Sequence, residues 1–170
     1  MKLRPTNPQD LHSIMGIIKE AQSFLASQNI DQWQDGYPGE DLFLKDISQD
    51  ESFVVKSERK EIMATAMFTT KPESTYSNLD GSWLTPENTK YGVIHRMAVG
   101  NKFRNLGIAK FIFKECELNL QQNDIASMRI DTHEDNKGMQ GLLKKLGYVY
   151  CGIIFLKSGD KRLAFEKVLD

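Results

Sequence analysis

"VIHRMAVGNKFRNLGIAKFIFKECE", residues Val93 to Glu117, decides the fold. It opens with an apolar run of strand character, passes through a bend holding Gly100, Gly107 and several basic residues, and ends in a helical pattern. The start of a helix leaves backbone N–H groups without intrahelical partners and carries a partial positive charge, so such a bend suits an anion. Gly107 removes a Cβ where a ligand would come close, and Ala109 keeps the next position small. Lys102, Arg104 and Lys110 add formal positive charge, and two linked phosphates fit this arrangement.

Spacing excludes the commoner phosphate loops. A Walker loop needs four residues between its glycines and then Lys-Ser or Lys-Thr, whereas Gly100 and Gly107 enclose six and Ile108 follows. The dinucleotide fingerprint G-x-G-x-x-G is absent from the stretch.

Outward from the bend, the elements alternate. "KLRPTN" has the pattern of a short strand, and "PQDLHSIMGIIKEAQSFLASQ" places Leu11, Ile14, Met15, Ile18 and Leu25 on a helical stripe. "DLFLKDIS" predicts a second short helix, and "SFVVKS" and "EIMATAMFTT" a hairpin around "ERKE". Residues 71–90 form an unusually long loop, of a length more often functional or mobile than idle. After the quoted stretch come the strand "SMRIDT", the helix "NKGMQGLLKKLG" and the strands "YVYCGIIF" and "RLAFEKVL". The predicted fold is an α/β mixed sheet with helices packed on it.

At 170 residues the chain is most simply one domain, 1–170, large enough to bury a core. With 40% hydrophobic and 26% charged residues it is not a disordered composition, and a net charge of -1 lacks the basic field of a nucleic-acid binder. The start "MKLRPTNPQD" has no signal-peptide core, and no stretch approaches the ~18 apolar residues of a membrane span, so a cytoplasmic chain without membrane partner is expected. Cys116 and Cys151 lie in apolar patterns without metal spacing and are expected as buried free thiols. H-E-x-x-H zinc binding fails at His133, because position 137 is Lys.

R-x-x-G-x-A, Arg104 to Ala109, after a strand ending "MAV", resembles the pyrophosphate-binding motif of the GNAT superfamily of N-acetyltransferases. A second segment agrees: Asn136 opens the next helix, Met139 is apolar, and Lys145 to Tyr148 matches a K-x-G-F ending. Together they span Ile94 to Tyr148. The resemblance implies a mostly antiparallel sheet with a splayed parallel strand pair, flanked by helices, and acetyl-CoA as cofactor. It further implies that Met97 and Val99 offer backbone contacts to the pantetheine arm. The N–H groups from Phe103 through Arg104, Asn105, Leu106, Gly107, Ile108 and Ala109 would bind the pyrophosphate. Asn136 would reach the pantetheine arm or the thiol end, and Lys144 or Lys145 the remaining phosphate.

The implied chemistry is direct attack by a neutral amine on the thioester. An alkylammonium has a pKa of about 10.4, so a base or a desolvating site must take its proton, and the oxyanion then needs a donor, for which the N–H near Met97 is the family's candidate. Strand alternation sets His95, Met97 and Val99 on one face and Arg96 and Ala98 on the other, and His95 is the first choice of base. Asp131, His133 and Glu134 are alternatives. The family's thiolate-protonating Tyr is replaced here by Leu143, so no general acid is assigned; Asn101 and Asn105 also depart from the usual Pro and Gly.

On the acceptor side, the acidic segment 29–51 carries Trp33 and Tyr37, and Trp83, Tyr91 and His133 are candidates for an opposing wall. An amino compound, a polyamine, an aminoglycoside or a protein N-terminus all stay open, as does a homodimer. Two functions follow: an acetyl-CoA-dependent N-acetyltransferase acting on a small-molecule or peptide amine, or an acyl-CoA-binding sensor with little turnover.

Overall fold

The computed structural model describes residues 1–169. Its strands are β1 (Lys2–Pro5), β2 (Ser52–Lys56), β3 (Ile62–Thr69), β4 (Asp80–Gly81), β5 (Gly92–Val99), β6 (Ser127–Thr132), β7 (Val149–Phe155) and β8 (Lys161–Val168). The helices are α1 (Leu11–Ser27), α2 (Glu40–Ser48), α3 (Ile108–Gln122) and α4 (Lys137–Lys145). Hydrogen bonding orders the strands β1-β2-β3-β5-β6-β8-β7-β4. The pairs β1–β2, β2–β3, β6–β8, β7–β8 and β4–β7 are antiparallel, and β5–β6 is parallel. This is the mixed, mostly antiparallel sheet expected.

The chain forms two compact units. The first, residues 1–68 and 94–115, holds α1, α2 and most of β5. Ile14, Ile17 and Ile18 recur at helical spacing in α1 and bury against Phe43, Val54 and Ala98, with Leu11, Met15 and Trp33 packed around them. Before α1, the Asp10 carboxylate accepts the Asn7 N–H at 2.8 Å and pairs with both Arg4 nitrogens at 2.7 and 2.9 Å. The guanidinium beside Asp10 holds its carboxyl below the usual range.

The second unit, residues 69–93 and 116–170, holds the long loop. That loop is pinned throughout. Its short strand β4 pairs with β7 at Gly81↔Gly152, where a Cβ on either glycine would come within 2.2 Å of opposing backbone. Trp83 donates from Nε1 to Tyr76 O at 3.0 Å, and Tyr76 donates its hydroxyl to Asp131 Oδ2 at 2.8 Å. Arg129 lies over the rings of both Trp83 and Tyr91, at 4.3 and 4.1 Å. Its partner Glu166 is fully buried and accepts from Arg129 Nε (3.0 Å), Ser127 Oγ (2.5 Å), Thr85 Oγ1 (2.5 Å) and the Leu84 N–H. Cys116 and Cys151 are buried free thiols, as expected.

Burial alone would raise the Glu166 carboxyl, but hydrogen bonds from Ser127, Thr85 and Arg129 outweigh it and hold it below the usual range. Removing one partner of a buried pair strands the other charge, so Glu166→Gln should cost about 3–5 kcal/mol in urea unfolding. Because the folded carboxyl is the stronger acid, that difference should be full above the unfolded carboxylate's pKa of about 4.3 and shrink as pH falls through the lower folded value. An equal difference at pH 3 and pH 7 would contradict this assignment.

Candidate active site

Strand β5 delivers the first group of candidate residues, and its middle is not a regular strand. Arg96 has a left-handed φ of 49°, so the two-residue alternation expected from the sequence does not run through it. Burial along β5 accordingly fails to alternate: Gly92 to Ile94 are buried, His95 to Met97 half-buried, Ala98 buried. The Arg96 side chain, 9% exposed, donates from Nε and Nη2 to Asp46 Oδ2 at 3.0 and 2.7 Å and from Nη1 to the Tyr37 hydroxyl at 3.2 Å. Burial opposes the guanidinium's charge, but Tyr37 and Asp46 outweigh it and hold Arg96 above its ordinary value. Burial raises the Asp46 carboxyl above the usual carboxylate range, against the opposing pull of the Arg96 guanidinium. Tyr37 is thus brought beside the strand carrying His95 and Met97. Trp33 instead packs on the core of the first unit.

Beyond Val99 the chain bends as its glycines predict. Gly100 donates to Met63 O at 2.9 Å, and a 3-10 turn over Asn101–Phe103 follows. This turn corrects one expectation: the N–H groups of Phe103 and Arg104 are already given to Gly100 O and Asn101 O, at 2.8 and 3.3 Å. The donors that remain for an anion begin at Asn105. Asn105 and Gly107 both take left-handed φ, 63° and 76°, with Leu106 between them, the kind of backbone alternation that can form a nest of N–H groups. The first N–H of α3 to return into the helix is that of Phe111, bonding to Gly107 O at 2.9 Å, so those of Ile108, Ala109 and Lys110 point out of the helix start. No heavy atom lies within 4 Å of where a Gly107 Cβ would sit, leaving open space over the nest.

The nearby cations are partly committed. Lys102 pairs with Glu61 at 2.5 Å, the Asn101 N–H is held by Glu20 at 2.6 Å, and the Arg104 guanidinium lies over the Phe24 ring at 3.9 Å. Lys110 is exposed at the first turn of α3.

In the second unit, Asn136 caps α4, its Oδ1 accepting the Met139 N–H at 3.1 Å. His133 Nδ1 accepts the Asp135 N–H at 3.1 Å, which leaves the imidazole proton on Nε2. Lys144 and Lys145 are exposed on the last turn of α4, while Leu143 between the helix and its core is fully buried. Trp83 belongs to the aromatic cluster over Arg129 described above.

The sequence profile of the Acetyltransferase (GNAT) family matches residues 18–148. The chain belongs to that family. Among solved structures, a GNAT-family acetyltransferase from Streptococcus agalactiae is 33% identical, covers 99% of this chain and 95% of its own, and superposes with a TM-score of 0.89. A GNAT-family acetyltransferase from Listeria monocytogenes is 19% identical, with 99% and 94% coverage and a TM-score of 0.76. A phosphinothricin acetyltransferase from Sinorhizobium meliloti, solved in complex with acetyl-CoA, is 17% identical, with 99% and 88% coverage and a TM-score of 0.70; these last two share the fold. No curated protein sequence matches the chain.

This GNAT protein is therefore an acyltransferase by family, and acetyl-CoA is that family's cofactor. The open nest over Gly107, the outward N–H groups of α3 and the exposed Lys110 fit a pyrophosphate. Sequence reasoning singled out the bend from Phe103 to Ala109 but missed the Asp46–Arg96–Tyr37 cluster, whose members lie far apart along the chain and outside either motif.

Gly107→Val places a β-branched residue at φ 76°, at a folding cost of about 1–2 kcal/mol, and fills the space above the nest. Calorimetry should show acetyl-CoA affinity falling by at least about tenfold, a loss equal to one good hydrogen bond. Unchanged affinity in a folded variant would remove the nest from the cofactor site.

Proposed function

We propose that this GNAT protein acts as one domain, in the cytoplasm, and is an N-acetyltransferase for a primary amine of a small molecule or peptide. The observation that carries the reading is the continuous run from β5 through the nest into α3. There one short segment supplies a half-buried histidine, a kinked strand and an anion-binding helix start.

Bound acetyl-CoA supplies an activated acetyl group as a thioester. The N–H groups of Asn105 to Ala109 would hold its pyrophosphate, with Arg104 and Lys145 supplying charge toward it. Backbone groups of Met97 and Val99 align its pantetheine arm as an added strand would be aligned, and Asn136 contributes from the α4 cap. His95 takes the proton that an attacking ammonium must lose. The N–H near Met97 donates to the charge that develops on the acetyl oxygen. Leu143 is buried and offers no proton, so protonation of the leaving thiolate, a group of ordinary pKa about 8.5, would fall to water.

The acceptor reading rests on charge. Segment 29–51 carries Asp31, Asp35, Glu40, Asp41, Asp46, Asp50 and Glu51 against Lys45, with Tyr37 exposed among them, which favours a cationic amine. Trp33, Trp83 and His133 are kept as acceptor-side candidates, although each already has a structural contact. The sensor reading retains one supporting observation, the buried Leu143 in place of a proton donor.

His95→Ala separates the two. An enzyme should lose about 10²–10⁴-fold in kcat, the usual worth of a general base, with the calorimetric Kd for acetyl-CoA unchanged. A wild type that binds acetyl-CoA tightly yet acetylates no amine in a panel of polyamines, aminoglycosides and peptides would favour the sensor.

A further inference from the structure

Arg96 takes a conformation that its residue type disfavours. A left-handed φ strains a non-glycine residue, and such strain persists only where the surroundings over-determine it. Here the surroundings are identifiable. Asp46, the buried polar residue of α2, receives two N–H groups of the guanidinium on one oxygen, and both side chains are nearly sealed from water, at 9% and 4% exposure. Such a buried pair tolerates little displacement, because moving either partner leaves an uncompensated charge.

The residues on either side of Arg96 are His95 and Met97, the base and the oxyanion donor of the proposed reaction. A third bond extends the arrangement to the acceptor segment: Arg96 Nη1 donates to the Tyr37 hydroxyl at 3.2 Å. Tyr37 is itself tied back, its carbonyl accepting from Gln22 Nε2 at 3.0 Å, while Gln34 Nε2 donates to Gln22 O at 3.1 Å. One guanidinium is therefore shared by α2, the kinked strand and the loop between α1 and α2.

We propose that Asp46 and Arg96 are positioning residues for acetyl transfer: their ion pair holds the kink in β5 that aims His95 and the Met97 N–H, and Tyr37 registers the acceptor loop on it. The inference rests on the assignment of His95 and Met97 made above.

The test compares wild type, Asp46→Asn, Arg96→Gly and the double variant, each confirmed folded by circular dichroism. Acetyl-CoA affinity is read by calorimetry, and steady-state kinetics use the amine the wild type acetylates fastest from the panel. Asp46→Asn keeps the shape and removes the charge, so kcat should fall about ten- to hundredfold, the scale of a small misplacement, with acetyl-CoA affinity within about twofold. Glycine adopts φ 49° without strain and removes the stranded guanidinium, so adding Arg96→Gly to Asp46→Asn should recover most of the lost kcat. A purely structural pair would instead lower the unfolding midpoint in all three variants and leave kcat of the folded protein unchanged. That result, or a double variant no more active than Asp46→Asn, overturns the inference. If Asp46→Asn does not fold, Arg96→Gly alone, which leaves the Asp46 carboxylate without its partner, decides it: a fall in kcat of about ten- to hundredfold with acetyl-CoA affinity within about twofold supports the inference, and kcat within about threefold of wild type overturns it. A wild type that binds acetyl-CoA but acetylates nothing counts against the enzyme reading itself and removes the inference with it.

Discussion

A β-strand cannot pleat through a left-handed residue, and β5 contains one at Arg96. Much of the molecule's chemistry depends on that interruption. Up to Val93 the strand pairs in parallel with β6, at Gly92↔Met128 and Val93↔Arg129. After Arg96 the chain runs into Gly100, the 3-10 turn and the nest that opens α3. A regular strand would satisfy its backbone groups along its whole length. A kinked one leaves groups to offer a ligand, and here the kink is followed by the bend that opens α3 at Ile108, where the proposed pyrophosphate site lies.

The two units solve the problem of burying charge in the same way. In the first, Arg96 and Asp46 are sealed together beneath Tyr37. In the second, Arg129 and Glu166 are sealed beneath Trp83 and Tyr91, with Ser127 and Thr85 completing the carboxylate's hydrogen bonds. Neither pair is a strong source of net stability, since desolvation cancels much of the attraction. What each provides is a fixed position, for a strand in one case and for a long loop in the other.

Much of this was legible in the residues. The stripe of Ile14, Ile18 and Leu25, the alternating strands and the spacing of Arg104, Gly107 and Ala109 all reflect local rules, which one sequence carries in full. "SMRIDT" coincides with β6 to the residue. What escaped was non-local. The left-handed φ at Arg96 has no signature, because Arg is an ordinary strand residue until a carboxylate fifty positions away captures it. Residues 71–90 read only as a loop of unusual length because their anchors are a two-residue strand and the side chains of Arg129 and Glu166, late in the chain. The donor count of the bend was overestimated for a different, local reason: the 3-10 turn takes up the N–H groups of Phe103 and Arg104.

The central claim is that the bend between β5 and α3 holds the diphosphate of acetyl-CoA. Thermal unfolding with acetyl-CoA, and separately with adenosine 3',5'-bisphosphate, which lacks the pyrophosphate link and the pantetheine arm, tests it directly. At about a hundredfold above its Kd a ligand adds about 2.7 kcal/mol, which in a chain of this length raises the midpoint by roughly 5–11 °C. The account predicts a shift of that size for acetyl-CoA and a clearly smaller one for the fragment at the same concentration. No shift at millimolar acetyl-CoA, or equal shifts for the two, would contradict it.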